Sequence, residues 1–262
     1  MIHTIAYYES VDEGAAYNAL TGVADQQTRV SGDDIQIPSL NQVIAVAAMI
    51  ETAAAHRARL VSPSLRVRSN YQISPLNGAA AGAVEPGSPQ AVADLRRTPL
   101  KLVTGEQLNA EFLADPAAVQ IQSCVVWLSD GPPAEVTGEI FTVRATAVSA
   151  LVAGTWSNTA INFDEDLPRG RYQVVGFWPI STGMIAARLA FVGGPGWRPG
   201  ALGSDLQEDL QHPMFRQGGM GVLGEFEDIE PPTVDALAVS ADAAAAQMYY
   251  LDLVQIRAGA GG

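Results

Sequence analysis

Arg171-Tyr172-Gln173-Val174-Val175-Gly176-Phe177-Trp178-Pro179-Ile180-Ser181-Thr182-Gly183-Met184-Ile185-Ala186-Ala187-Arg188-Leu189-Ala190-Phe191-Val192 is the stretch on which the fold turns. Two apolar runs, Arg171 to Trp178 and Met184 to Val192, flank a connection that carries Pro179 and Gly183. That pattern predicts two antiparallel strands joined as a hairpin. Gly193-Gly194-Pro195-Gly196-Trp197-Arg198-Pro199-Gly200 then reads as a long glycine-proline loop.

Outward from this pair, the same period-two logic recurs. Between Glu139 and Val152, residues Ile140, Thr142, Arg144, Thr146 and Val148 alternate with Phe141, Val143, Ala145, Ala147 and Ser149. Leu65 to Ile73 alternates too, and Pro99 to Val103 is a further short candidate. Val119 to Leu128 is almost unbroken in apolar residues, which predicts a central strand, and Met248 to Arg257 predicts the last one. Ile35 to Pro38 reads as a short extended piece, and Ser204 to Gln211 as a short helical turn. One segment carries helical spacing. Leu40, Val43, Ile44, Ala47 and Ile50 fall on one stripe, Ser39 and Gln42 form a capping box, and His56, Arg57 and Arg59 fall in the last turn. A helix over about 39–58 is therefore expected.

Roughly eight to ten strands, one early helix and no strand-helix-strand rhythm predict a mainly β chain: an antiparallel, jelly-roll-like sandwich. No internal repeat of fixed period is present. The chain reads as a single domain, 1–262. Any sub-boundary falls in the Ala/Gly/Pro/Ser-rich loop within 77–98, dividing a helix-bearing 1–76 from a β-sandwich 99–262.

Composition narrows the function classes. Of 262 residues only 16% are charged, against about 25% in ordinary soluble domains, which points to a surface covered by partners. The net charge is −13, and Lys101 is the sole lysine, so direct, sequence-specific nucleic-acid binding is not expected. No apolar run is long enough to span a membrane, and no signal peptide is legible at Met1-Ile2-His3-Thr4. The single cysteine, Cys124, lies inside an apolar run, a setting for a buried small hydrophobe rather than a nucleophile.

Motifs fail on context. Gly219-Met220-Gly221-Val222-Leu223-Gly224 fits a dinucleotide fingerprint, yet no strand precedes it and Glu225, Glu227, Asp228 and Glu230 follow. The three histidines, His3, His56 and His212, lack zinc-site spacing, and no serine sits in a nucleophile elbow. Asp164-Glu165-Asp166 and the Glu225–Glu230 group could offer oxygen ligands to a hard cation, but solvated turn carboxylates are the preferred reading. No catalytic residue, cofactor or metal site is therefore assigned. Trp127, Trp156, Trp178 and Trp197 leave a carbohydrate-binding or adhesion sandwich open, and a distant carboxylate pair leaves a β-sandwich glycoside hydrolase open.

Gly170-Arg171-Tyr172-Gln173-Val174-Val175-Gly176-Phe177, Ala186-Ala187-Arg188-Leu189-Ala190-Phe191, Trp197-Arg198-Pro199-Gly200 and the closing Tyr249-Tyr250-Leu251-Asp252-Leu253-Val254 resemble the jelly-roll coat proteins of tailless icosahedral phages and viruses. The resemblance implies a shell subunit without catalytic residues, a homo-oligomer (trimer or pentamer) that builds a closed shell, with other coat proteins as further partners. It places the chain in a virion or assembled particle; otherwise a soluble, cytoplasmic protein is expected. The chain is short for a double jelly roll and carries no basic N-terminal arm. The contact elements expected are the 193–200 loop, the 217–224 loop and the early helix, with Trp197, Arg198, Phe215, Arg216 and Met220 as interface residues.

Overall fold

The computed structural model describes residues 1–9, 16–50, 55–66, 70–73, 91–115, 122–204 and 211–258, without the side chains of residues 50, 55, 56, 114 and 115. The loop expected over 77–89 lies outside the described residues, as does the turn expected over 204–211 except for its two end residues. Antiparallel strands dominate, as the alternation predicts, and they group into two compact units, the described strands dividing between them in the chain at Pro132/Pro133. Gly131-Pro132-Pro133 is the punctuation at which the chain passes from one unit to the other.

In the first unit, β1 (Ile2–Glu9), β2 (Asn18–Ala19), β3 (Thr21–Gly22), β4 (Arg29–Ser31), β5 (Asp34–Gln36), β6 (Gln42–Ile50), β7 (Ala55–Val61), the one-turn helix α1 (Pro63–Arg66), β8 (Tyr71–Ile73), β9 (Ala93–Asp94), β10 (Leu100–Lys101), β11 (Gln107–Asp115) and β12 (Gln122–Ser129) follow in order. One sheet runs β10-β6-β12-β1-β3, with β9 also on β6; the other runs β4-β5-β11-β7-β8, with β2 on β11. The Tyr7 hydroxyl on β1 donates to the Leu108 carbonyl on β11 at 3.0 Å, tying the sheets together through the core. All eight residues of β12 are buried. Both of its faces are therefore covered, which is why its middle, Cys124 to Leu128, is continuously apolar instead of alternating.

The helix expected over 39–58 does not form among the described residues; β6 and β7 take up 42–50 and 55–58. Val43 to Met49 is apolar at every position, so it matches helical spacing as any unbroken run does, and burial on both faces of a strand satisfies it equally well. Among the described residues the one α-helix starts later, where the Ser62 hydroxyl accepts from the Leu65 amide at 3.2 Å and Pro63 fills the first helical position. The strand expected over 65–73 survives as β8 alone, and residues 67–69 lie outside the description.

The second unit contains β13 (Phe141–Ala147), β14 (Ser157–Thr159), β15 (Ile161–Phe163), β16 (Gly170–Ile180), β17 (Met184–Ala190), β18 (Gly200–Leu202), β19 (Gly224–Glu227), β20 (Thr233–Ala238) and β21 (Met248–Ala258), with single 3-10 turns at Pro213–Phe215 and Ala244–Ala246. Its sheets run β15-β13-β21-β16-β19 and β14-β20-β17-β18. The strands expected from the opening stretch, β16 and β17, both form but do not pair with each other. β16 pairs with β21 and β19, and β17 with β20 and β18, so Ser181-Thr182-Gly183 carries the chain from one sheet to the other. Sequence cannot separate this crossing from a hairpin, because both need the same turn residues.

The two units share one strand order. With the short β3, β15 and the β4–β5 hairpin set aside, and β9/β10 counted as one, each unit has eight principal strands among the described residues. They lie in the order first-eighth-third-sixth in one sheet and second-seventh-fourth-fifth in the other. That is jelly-roll topology, two interlocked Greek keys, occurring twice in tandem. The repetition is one of connectivity, without any residue period to betray it.

Candidate functional site

The outward face of the five-stranded sheet in the second unit holds the densest polar cluster. Asp252, in the middle of β21, is fully buried. Arg216 grips it in bidentate fashion, Nε to Oδ2 and Nη2 to Oδ1, both at 2.8 Å. The Thr142 hydroxyl donates to Oδ1 at 2.7 Å, and the Gln217 amide donates to Oδ2 at 2.7 Å. Burial pushes the Asp252 carboxyl up, but these donors and the Arg216 charge outweigh it and hold the group below its ordinary value. A bulge between Val174 and Gly176 sets Gly176 opposite Asp252. A Cβ at 176 would lie 2.2 Å from Asp252 Oδ2, so only glycine leaves room for the carboxylate. Arg216 also lies 5.6 Å from the Trp178 ring, which in turn packs on Tyr250 at 5.3 Å. Asp252 thereby anchors the connection between β18 and β19 onto the sheet.

Beside this clamp lies a groove of about 390 Å³ lined by Thr142, Val143, Arg144, Asp164, Glu165 and Tyr250. Arg144 pairs with Asp164 within it. The proposed cation ligands Asp164, Glu165 and Asp166 are exposed but do not converge: among the described residues no group of three or more His, Cys, Asp or Glu is placed to hold a metal ion. The other acidic run is likewise committed. Glu225 pairs with Arg171 at 2.7 Å, Glu227 with Arg257 at 2.8 Å, and Asp228 accepts from the Gly170 amide at 2.8 Å.

A second cluster sits on β14, β17 and β20. Arg188 and Asp235, neighbours in register, are both buried and 3.5 Å apart. Arg198 pairs with the same carboxylate, Asn158 donates to it at 2.7 Å, and the Arg188 guanidinium lies 3.8 Å from the Trp156 ring centre. The Trp197-Arg198 loop is thus pinned by Asp235.

Of the expected interface residues, Trp197 and Arg198 are half-buried. Arg216 is spent on Asp252, while Phe215 and Met220 are buried within the unit and anchor the 213–223 connection from beneath. The nucleotide-like glycine run is a turn: Gly221 has φ of 72°, and a Cβ there would lie 2.6 Å from the Ala134 carbonyl oxygen. In the first unit, Cys124 is buried and its thiol is pushed far up by burial, which keeps it protonated. His3 is buried too, with Nε2 3.2 Å from Asp25 and 3.0 Å from the Thr28 hydroxyl. The residues that sequence reasoning missed are Asp252, Asp235 and Arg188. Their one signal is a charge in the middle of an otherwise apolar strand.

No family model, no curated protein and no solved structure matches the chain.

Proposed function

We propose that this chain is a self-assembling structural subunit, a coat protein whose two tandem jelly rolls build the wall of a virion-like shell, without a catalytic role. The observation that carries the reading is the duplication: one chain folds the same eight-stranded order twice. Three such chains around an axis supply six similar sandwiches, which favours the trimer over the pentamer as the building block. The polar clusters support a structural role, because Asp252, Asp235, Glu225 and Glu227 are each occupied by an arginine. Low charge content, at 16%, agrees with surface covered by neighbouring copies. The tryptophans give the carbohydrate reading little support. Trp127 is fully buried, Trp156 is covered by Arg188, and Trp178 donates to the Ser204 hydroxyl at 2.9 Å.

Light scattering coupled to size-exclusion chromatography, with negative-stain microscopy, tests the proposal on purified protein. Species of about three times 27.5 kDa, or closed particles, are expected. A strict monomer at high concentration would sink it.

A further inference from the structure

β13 is only partly covered on its outer side. β15 pairs with Ala145, Thr146 and Ala147, and the Arg144 carbonyl accepts from the Asp164 amide at 3.0 Å. There the covering chain ends. Backbone groups alternate sides along an antiparallel strand, so the amide and carbonyl of Thr142 point outward, as those of Arg144 do. Among the described residues those of Thr142 meet no backbone partner on that side. The open stretch includes Phe141, which is partly exposed with its ring edge-on to Tyr172, and it borders the groove of Thr142, Arg144, Asp164, Glu165 and Tyr250. Glu165 has no counter-ion among the described residues.

The first unit ends in an edge of opposite character. β4 pairs with β5 in the register Arg29↔Gln36, Val30↔Ile35 and Ser31↔Asp34. Ser31 and Asp34 close the two-residue turn, so Val30 directs its amide and carbonyl away from β5. Arg29 is exposed and has no ion-pair partner among the described residues. An edge strand with free backbone groups is a template for another strand.

We propose that β4 of one copy adds to the open edge of β13 in a second copy, with Arg29 meeting the acidic rim at Glu165; this rests on the self-assembling reading above. Setting Val30 against Thr142 in antiparallel register places Arg29 level with Val143. Glu165 follows Asp164, the last residue to bond β13, and lines the same groove as Thr142 and Val143, so the charge falls beside the carboxylate. Main-chain hydrogen bonds supply the attraction, and the charge pair selects the register. The contact joins two different surfaces, so it is heterologous and propagates until symmetry closes a ring.

The test compares wild type with Arg29→Glu, Glu165→Arg, the double exchange and Val30→Pro, by light scattering and microscopy. Each single charge reversal shifts the mass to smaller species, and the double exchange restores the wild-type distribution. Val30→Pro removes the outward amide and leaves the β5 pairing intact, so it abolishes the larger species while circular dichroism stays unchanged. Single variants that assemble like wild type, or a double exchange that fails to restore assembly, overturn the β4–β13 contact with the shell reading intact. A monomeric wild type overturns both.

Discussion

Replacing Asp252 with alanine tests whether the clamp on β21 holds the second unit together. The substitution leaves Arg216 without its carboxylate and removes the acceptor for the Thr142 hydroxyl and the Gln217 amide. Breaking a buried pair by deleting one partner costs about 3–5 kcal/mol. The Arg216 side chain is 25% exposed and can turn to water, which places the cost near the lower limit, about 3 kcal/mol. At about 2–4 °C per kcal/mol for a chain of this size, the melting temperature falls by about 6–12 °C. Scanning calorimetry at pH 7 measures it, and a fall below about 2 °C refutes the reasoning. The pH dependence has a fixed sign. A carboxyl held low in the folded state contributes its full stability above the unfolded value, about 3.9, and loses it as pH drops through the folded value. The gap between wild type and Asp252→Ala is therefore constant from pH 7 to about 5 and closes in stronger acid. Gly176→Ala completes a cycle. Its Cβ would meet Oδ2 at 2.2 Å and Cγ at 2.8 Å in wild type, and only the residue-252 Cβ, at 2.9 Å, in Asp252→Ala. The double variant should thus be less destabilised than the two single costs added.

Trp127→Ala empties a fully buried site on β12 and should cost about 3–5 kcal/mol in urea unfolding; a change under about 1 kcal/mol would mean the ring is not packed as described. Cys124 should resist a thiol reagent at pH 8 in the native protein and react at once in guanidinium, since burial keeps the thiol protonated and enclosed. Labelling of native protein at the rate of a free thiol would contradict this. Gly200→Ala places a Cβ 2.2 Å from the Ala187 carbonyl oxygen, so β18 must shift from β17 at a cost of about 1–3 kcal/mol, read as a lowered melting temperature.

Several elements were legible from residues alone. Alternation located β13 and β21, and the unbroken apolar run located β12, because one-sided and two-sided burial leave different periods. The candidate site was mostly hidden. Asp252 and Asp235 lie between apolar neighbours within strands, and their partners Arg216 and Arg188 stand 36 and 47 residues away. Only folding makes them pairs. Phe215 and Met220, expected as interface residues, are both buried within the unit.

The stretch Arg171 to Val192 shows where the limit falls. Its composition determined two strands and a turn, since β-branched and aromatic side chains suit a pleated, buried surface and Gly183 takes a φ of 64° that other residues avoid. Which strands β16 and β17 pair with was decided by the tertiary structure: each found its partners far along the chain from the Ser181–Gly183 turn in β19, β20 and β21, or across the Gly-Pro loop in β18. The Ala-rich run from Val43 was settled the same way, as a strand beside β12 instead of a helix. Local sequence encodes periodicity and turns, whereas strand order depends on contacts between distant segments, and no single segment carries that information. The twofold repetition of the jelly roll belongs to the second kind.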